Sequence, residues 1–295
     1  MDVSFDVLGA AMSFEFWYMF PTAIVIAMIA MASGVGGATF FAPIFLLALK
    51  LPIEIAIGIG LITEVFGFGS GVYAYSRKRL IDYRLAGSML VVSVPAAIVG
   101  VVAAGYFDPN TLKAVLAMGL LGIAFSLLRS PEHEEVASTD AAIAKDAEHK
   151  SERCIEDATG QRYCYTVCNK WSGMLVAAVG GLFTGAISTG LGELNSYFLL
   201  QRCKVPSKVA VATSVFAVAG TALSAAVGHL FGFIQSGPET LGQVAKIVVF
   251  TVPGVIIGGQ LGPQLASRVS QKTLEHGLGW LFVLVAILML AQQLV

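Results

Sequence analysis

Two carboxylates, Glu64 and Glu193, lie well inside long apolar segments. An ionisable group there is costly to bury and is read first as functional. Desolvation favours its protonated form, so each is a candidate for taking up a proton or holding a cation in a coupling role. The alternatives are structural: a hydrogen bond from Glu64 to a neighbouring helix, and a neutral Glu193 capping half-helix amides. Around them stand neutral donors: Ser33, Thr39, Ser188, Thr189, Asn195, Thr213 and Ser214. Two glycine-rich strings accompany these, Ser33-Gly34-Val35-Gly36-Gly37 and Ser188-Thr189-Gly190-Leu191-Gly192. Free amides at helix starts and nearby hydroxyls suit an oxyanion without a buried cation. Nucleophilic catalysis lacks comparable support, and no enzyme is expected. His133, His149, His229 and His276 fall in loops or near span ends, and Phe68-Gly69-Ser70-Gly71 lacks the first glycine of a nucleophile elbow. Cys154, Cys164 and Cys168 lack paired zinc spacing, so reduced thiols dispensable for function, no metal and no cofactor are expected.

The elements that must position these groups are membrane helices. Of 295 residues 56% are hydrophobic and 13% charged, about half the charge of a soluble domain. Fifteen of the 37 charges fall between Arg129 and Lys170, leaving too few elsewhere to cover a water-soluble surface. The chain therefore reads as an all-α, multispanning protein in contact with the lipid bilayer. A net charge of −1 provides no basic field for nucleic acid. Spans of roughly 20 apolar residues are expected at 53–76, 84–104, 111–128, 208–230, 243–262 and 274–291. Two further apolar stretches, 20–49 and 171–200, are broken by the glycine strings. Aromatics within 5–18 suit an interfacial lead-in.

The chain also repeats itself. The two glycine strings correspond, Leu51-Pro52 matches Val205-Pro206, and Val94-Pro95 matches Val252-Pro253. Each half is a broken segment followed by three spans, which gives an N-terminal repeat over 1–128, a cytoplasmic connector over 129–170 and a C-terminal repeat over 171–295. If the broken segments are re-entrant hairpins, fifteen Lys/Arg lie on the connector side and three, Lys50, Lys113 and Lys246, lie opposite. If they span, the split falls to eleven against seven. The bias of Lys and Arg to the cytoplasm favours hairpins. The expected architecture is two inverted repeats, each a re-entrant broken hairpin plus three transmembrane helices, with both termini periplasmic. Broken helices at matching places in inverted halves point to a midplane substrate site.

Gly34-Val35-Gly36-Gly37 followed by Pro43, the second copy Gly190-Leu191-Gly192, and Ala212-Thr213-Ser214 after Pro206 resemble the sulfite exporter TauE/SafE family. The resemblance covers nearly the whole chain and implies a bacterial inner-membrane carrier of sulfite, sulfoacetate or another small sulfur-containing anion. It departs from the family pattern at Gly58-Ile59-Gly60, where a Thr-Ser pair is frequent, and at Glu193, where a further glycine is usual. The site expected between the breaks comprises Ser33, Gly34, Gly36, Gly37, Thr39, Ser188, Thr189, Gly190, Gly192, Asn195, Thr213 and Ser214, with Glu193 and Glu64 for coupling. An anion channel built from the same hairpins is the alternative; the oligomeric state is left open.

The topology makes a direct prediction. Cysteines introduced at Asp2 and Gln293 will react with an impermeant reagent outside intact cells, and one at Ser138 will not. Outside labelling at Ser138 would invert the assignment.

Overall fold

The computed structural model describes residues 14–33, 37–129, 153–166, 170–190, 192, 194–195, 198–266 and 271–292. Gly34, Gly36, Glu193, Cys168 and the side chain of Ser33 lie outside what is described.

In the first half, α1 (Met19–Ser33) and the short α2 (Ala38–Leu47) flank the first break, followed by α3 (Ile53–Arg77), α4 (Tyr83–Ala104) and α5 (Pro109–Leu128). In the second half, α6 (Lys170–Ile187) precedes the second break and a π-helical turn at Phe198–Arg202. Then come α7 (Ser207–Ser236), α8 (Pro238–Ala266) and α9 (Gln271–Ala291). Six helices, α3–α5 and α7–α9, are long and apolar enough to cross a membrane. Their ends follow local chemistry. Asp82 accepts the amides of Arg84 and Leu85 at 3.0 Å each and starts α4, while Asp108 accepts from Asn110 at 3.0 Å ahead of Pro109 in the first turn of α5.

One expected loop is helical. The expected spans 208–230 and 243–262 leave residues 231–242 as a connection between them, but α7 runs to Ser236 and α8 begins at Pro238. No residue before Gly237 stops α7. Gly237, at φ 104°, makes the reversal alone, a backbone region open to glycine. At about 1.5 Å per residue α7 is longer than the roughly 30 Å hydrocarbon layer.

The packing is reciprocal between the halves. Helix α1 packs on α8, and its counterpart α6 packs on α4; α3 contacts α8 as α7 contacts α4; α3 meets α7 and α5 meets α9. Glycine permits the closest of these approaches. A Cβ on Gly258 would overlap the carbonyl oxygen of Ile24, and one on Gly185 would overlap that of Ala97. The small-xxx-small pair Gly254/Gly258 thus serves close packing against α1, as its spacing suggests. Helices α3 and α7 are the most enclosed, whereas α4, α5, α8 and α9 present apolar side chains such as Val91, Val99, Phe125, Leu284 and Leu288 outward.

Within the connector, β1 (Arg153–Glu156) and β2 (Arg162–Tyr165) form an antiparallel hairpin around Thr159-Gly160. The cysteines depart from expectation. Cys154 and Cys164 are bonded to each other, and Cys203 is also disulfide-bonded. Antiparallel pairing sets Cys154 opposite Cys164 and so brings two thiols together that sequence spacing alone leaves unrelated. Arg153, Ile155, Tyr163 and Tyr165 alternate onto the protein-facing side.

Two glycine substitutions should move stability in opposite directions. Gly258→Ala drives a methyl into α1 backbone and will lower the melting temperature sharply. A Cβ on Gly87, inside α4, meets nothing within 4 Å, so Gly87→Ala will raise stability by about 0.4–1 kcal/mol through reduced unfolded-state entropy. Thermal unfolding in detergent reads both.

Candidate substrate site at the two helix breaks

At the first break, α2 begins after Gly37, which keeps helical dihedrals of −63° and −37°. The amide of Ala38 donates to the carboxylate of buried Glu64 at 3.0 Å. A helix start leaves its first amides without intrahelical partners and carries a partial positive charge. Glu64 on α3 satisfies one of them, so the structural side of its sequence reading is realised.

At the second break the chain leaves α6 through Ser188, at φ 59°, and Gly190, at φ 110°. A non-glycine residue in that region is held at a cost of order 1–3 kcal/mol by its surroundings. The side chain of Phe183 lies 3.3 Å from where a Gly190 Cβ would sit. Helix resumes with Leu194 donating to the Gly190 carbonyl at 3.1 Å. His229 reaches the terminal turn of α6: its Nε2 lies 3.0 Å from the Gly185 carbonyl. A carbonyl only accepts, so Nε2 carries the proton. His229 lies within α7 and is buried, further into the fold than its expected place near a span end. Sequence reasoning missed this role, because the Gly185 carbonyl comes within reach only through the packing of α6 and α7.

The two breaks meet. Thr39 Oγ1 and Thr189 Oγ1 are 2.9 Å apart and both residues are buried. Ser214 Oγ donates to the Gly192 carbonyl at 3.4 Å. Val218 stands beside Gly192, 3.5 Å from a Cβ placed there, as Glu64 stands beside Ala38 in the first half. The repeat alignment pairs Glu64 with Val218, so acid and valine occupy corresponding places. Ser188 and Asn195 are 2% and 0% exposed, and Ser188 Oγ and both polar atoms of the Asn195 side chain have no hydrogen-bond partner among the described residues. Leaving a buried polar group unpaired costs about 1–3 kcal/mol. Three such atoms beside a helix break form a donor and acceptor set without partners among the described residues.

Two further hydroxyl pairs tie the halves together, Thr63–Thr251 at 2.9 Å and Ser93–Thr221 at 2.7 Å. Ser93 and Thr251 each precede the repeated Val-Pro, a signal available in the sequence and unused. Thr213 is placed differently from its neighbour Ser214. Its Oγ1 accepts the amide of Asp82 at 3.1 Å, in the link between α3 and α4.

A family model described as "Sulfite exporter TauE/SafE" matches residues 19–289. The curated "Probable membrane transporter protein YunE" of Bacillus subtilis (strain 168) is 24% identical over 222 residues, 75% of each chain. No solved structure matches the chain.

Replacing an unpartnered buried amide by an isostere separates folding from ligand binding. Asn195→Leu will leave thermal stability unchanged or higher, since no protein partner is orphaned. It will weaken anion binding by about 10–100-fold, the worth of a hydrogen bond to a charged group. Isothermal titration alongside thermal unfolding makes the comparison. Loss of stability with intact binding would assign Asn195 to the scaffold.

Proposed function

Because the chain belongs to the sulfite exporter TauE/SafE family, a family of membrane transporters, we propose that it is a secondary transporter of a small sulfur-containing anion across the bacterial inner membrane. Sulfite, sulfoacetate and other organosulfonates are the substrate class. The observation that carries this reading is the contact of the two breaks through Thr39 and Thr189, beside the unpartnered Ser188 and Asn195.

Three or more sulfur-bound oxygens accept hydrogen bonds in several directions, which matches neutral donors converging from Ser188, Thr189, Asn195 and Thr39. At Gly34, Gly36, Gly37, Gly190 and Gly192 the sequence places no side chain between the backbone and a ligand. Thr213 supports Ser214 from behind by fixing the link at Asp82. The two halves act as inverted repeats with re-entrant hairpins, a reading favoured by the charge split and consistent with the reciprocal packing of α1 on α8 and α6 on α4. Rocking one half against the other around a fixed site gives alternating access.

Coupling follows from the acids. An ionised carboxylate about 4 Å from an anion repels it by about 1–4 kcal/mol, depending on the local dielectric. Protonation of Glu193 removes that repulsion. Protonation of Glu64 removes the charge that holds the Ala38 amide and makes that amide available to substrate. A proton therefore enters with the anion.

Proteoliposomes test the reading. Sulfite flux will saturate and show counterflow, whereas a channel gives neither. Glu193→Gln will bind substrate and lose the pH dependence of flux. An unchanged pH profile in both Glu193→Gln and Glu64→Gln would remove proton coupling.

A further inference from the structure

The connector hairpin is bound to both halves, and to the first through one buried carboxylate. Asp82 is 7% exposed and sits between α3 and α4. Its Oδ2 receives Arg153 at 2.9 Å and the Tyr165 hydroxyl at 2.6 Å. Burial alone would raise its pKa, but the Tyr165 hydroxyl, the Leu85 amide and the Arg153 guanidinium outweigh it and hold the carboxyl below its ordinary range. The turn adds Ala158 N–H to the Lys78 carbonyl at 3.1 Å. On the other side, Lys208 of α7 donates to the Tyr163 hydroxyl at 3.2 Å, and Tyr165 lies in an apolar cluster with Met89, Phe198, Leu199, Val205 and Val209.

The register explains what the disulfide does. Arg153 pairs with Tyr165, and Cys154 with Cys164. The covalent bond is thus one rung from the pair that grips Asp82. It lies on the opposite face, with Cys154 exposed. A lone two-stranded hairpin is marginal in water, so its grip depends on that bond and on docking together. Asp82 leads onward to the candidate site. Its amide is held by Thr213, and the next residue of α7, Ser214, holds the Gly192 carbonyl at the second break.

We propose that the hairpin is a covalently switched latch across the two halves, opened when a sulfite-class anion cleaves the Cys154–Cys164 bond. The proposal rests on the reading of a sulfite-class anion as the cargo. The lone pair on the sulfur of sulfite attacks the exposed Cys154 Sγ. A new sulfur–sulfur bond forms, giving S-sulfocysteine, and the electron pair of the broken bond leaves on Cys164 Sγ, which takes a proton from water. Sulfite sulfur is oxidised as Cys164 is reduced, so no further redox partner is needed. Attack at the more accessible sulfur follows the rule for disulfide exchange. The strands then separate at the rung beside Arg153 and Tyr165, Asp82 is released, and Thr213 and Ser214 relax with it. The transporter in this way registers the anion it carries.

Sodium sulfite on the purified full chain tests this, with peptide mass mapping, hydrogen exchange and flux in proteoliposomes. Expected are an S-sulfonate on Cys154, a free thiol at Cys164, several-fold faster amide exchange across 153–166 and a several-fold change in flux. Cys154→Ser/Cys164→Ser should exchange fast with or without sulfite, which excludes action through Cys203. Tyr165→Phe keeps the disulfide but loses one grip on Asp82, and should reproduce the sulfite-treated flux. An adduct without faster exchange, or no adduct at Cys154, overturns the latch. If the latch opens but sulfite is not transported, the substrate reading fails and the latch stands.

Discussion

A backbone interrupted inside an apolar medium must have its polar groups satisfied, and that requirement organises this molecule. Each unpaired group in hydrocarbon costs several kcal/mol, and there are two interruptions. Both are met by side chains from the enclosed pair α3 and α7. Glu64 of α3 accepts the first amide of α2, and His229 of α7 donates to a last-turn carbonyl of α6. An acid meets the positive end of one half-helix and an imidazole N–H the negative end of another, the pairing that the helix dipole favours. The central helices therefore cannot shift without disturbing the breaks. That linkage is what an alternating mechanism requires of the residues behind its site.

Close packing of the same helices sets where the breaks can be. With Gly254 and Gly258 against the backbone of α1, and Gly181 and Gly185 against that of α4, the two outer pairs are locked at backbone distance. Hydroxyl pairs Thr63–Thr251 and Ser93–Thr221 fix their depth relative to α3 and α7. Between them the breaks approach until Thr39 and Thr189 touch. Atoms at Ser188 and Asn195 without a partner among the described residues are tolerated because the surrounding helices are held by other contacts.

Much of this was legible in the sequence, for identifiable reasons. Apolar length placed the six long helices to within a few residues, save where α7 and α8 extend past the expected loop to Gly237. Repeated Gly and Pro strings placed both breaks; Thr39 and Thr189 both belong to the site expected between them, but their direct contact across 150 positions is legible only in the structure. The cap by His229 was not legible, since it depends on which carbonyl a distant helix end presents. The disulfide was hidden as well. Cys154 and Cys164 stand ten positions apart, and only strand register makes them partners. Thr213 and Ser214 illustrate the limit most sharply. Adjacent and chemically alike, they face different tasks because successive helical positions point about 100° apart.

The latch and the topology bear on each other. If the two breaks are re-entrant hairpins, as proposed, Lys and Arg favour the connector side fifteen to three, and still nine to three when the connector's own charges are left out, so that orientation does not rest on that segment. Disulfides last in oxidising compartments and are transient, often redox-sensing, in reducing ones. With the connector in the cytoplasm, the Cys154–Cys164 bond is closed by oxidation and opened by cellular thiols as well as by sulfite; with the connector outside, it stays closed until a nucleophile reaches Cys154. Orientation therefore sets the resting state of the latch, while its mechanics are the same on either side. In both cases the grip on Asp82 is made by residues one rung from the bond, and the charge on Asp82 keeps Arg153 and Tyr165 in place wherever its carboxyl is ionised. Because that carboxyl titrates below the ordinary range, it is ionised at neutral pH, and its share of the docking is lost only as pH falls through the lowered pKa. The covalent bond, rather than ambient pH, is left as the control that can act under physiological conditions.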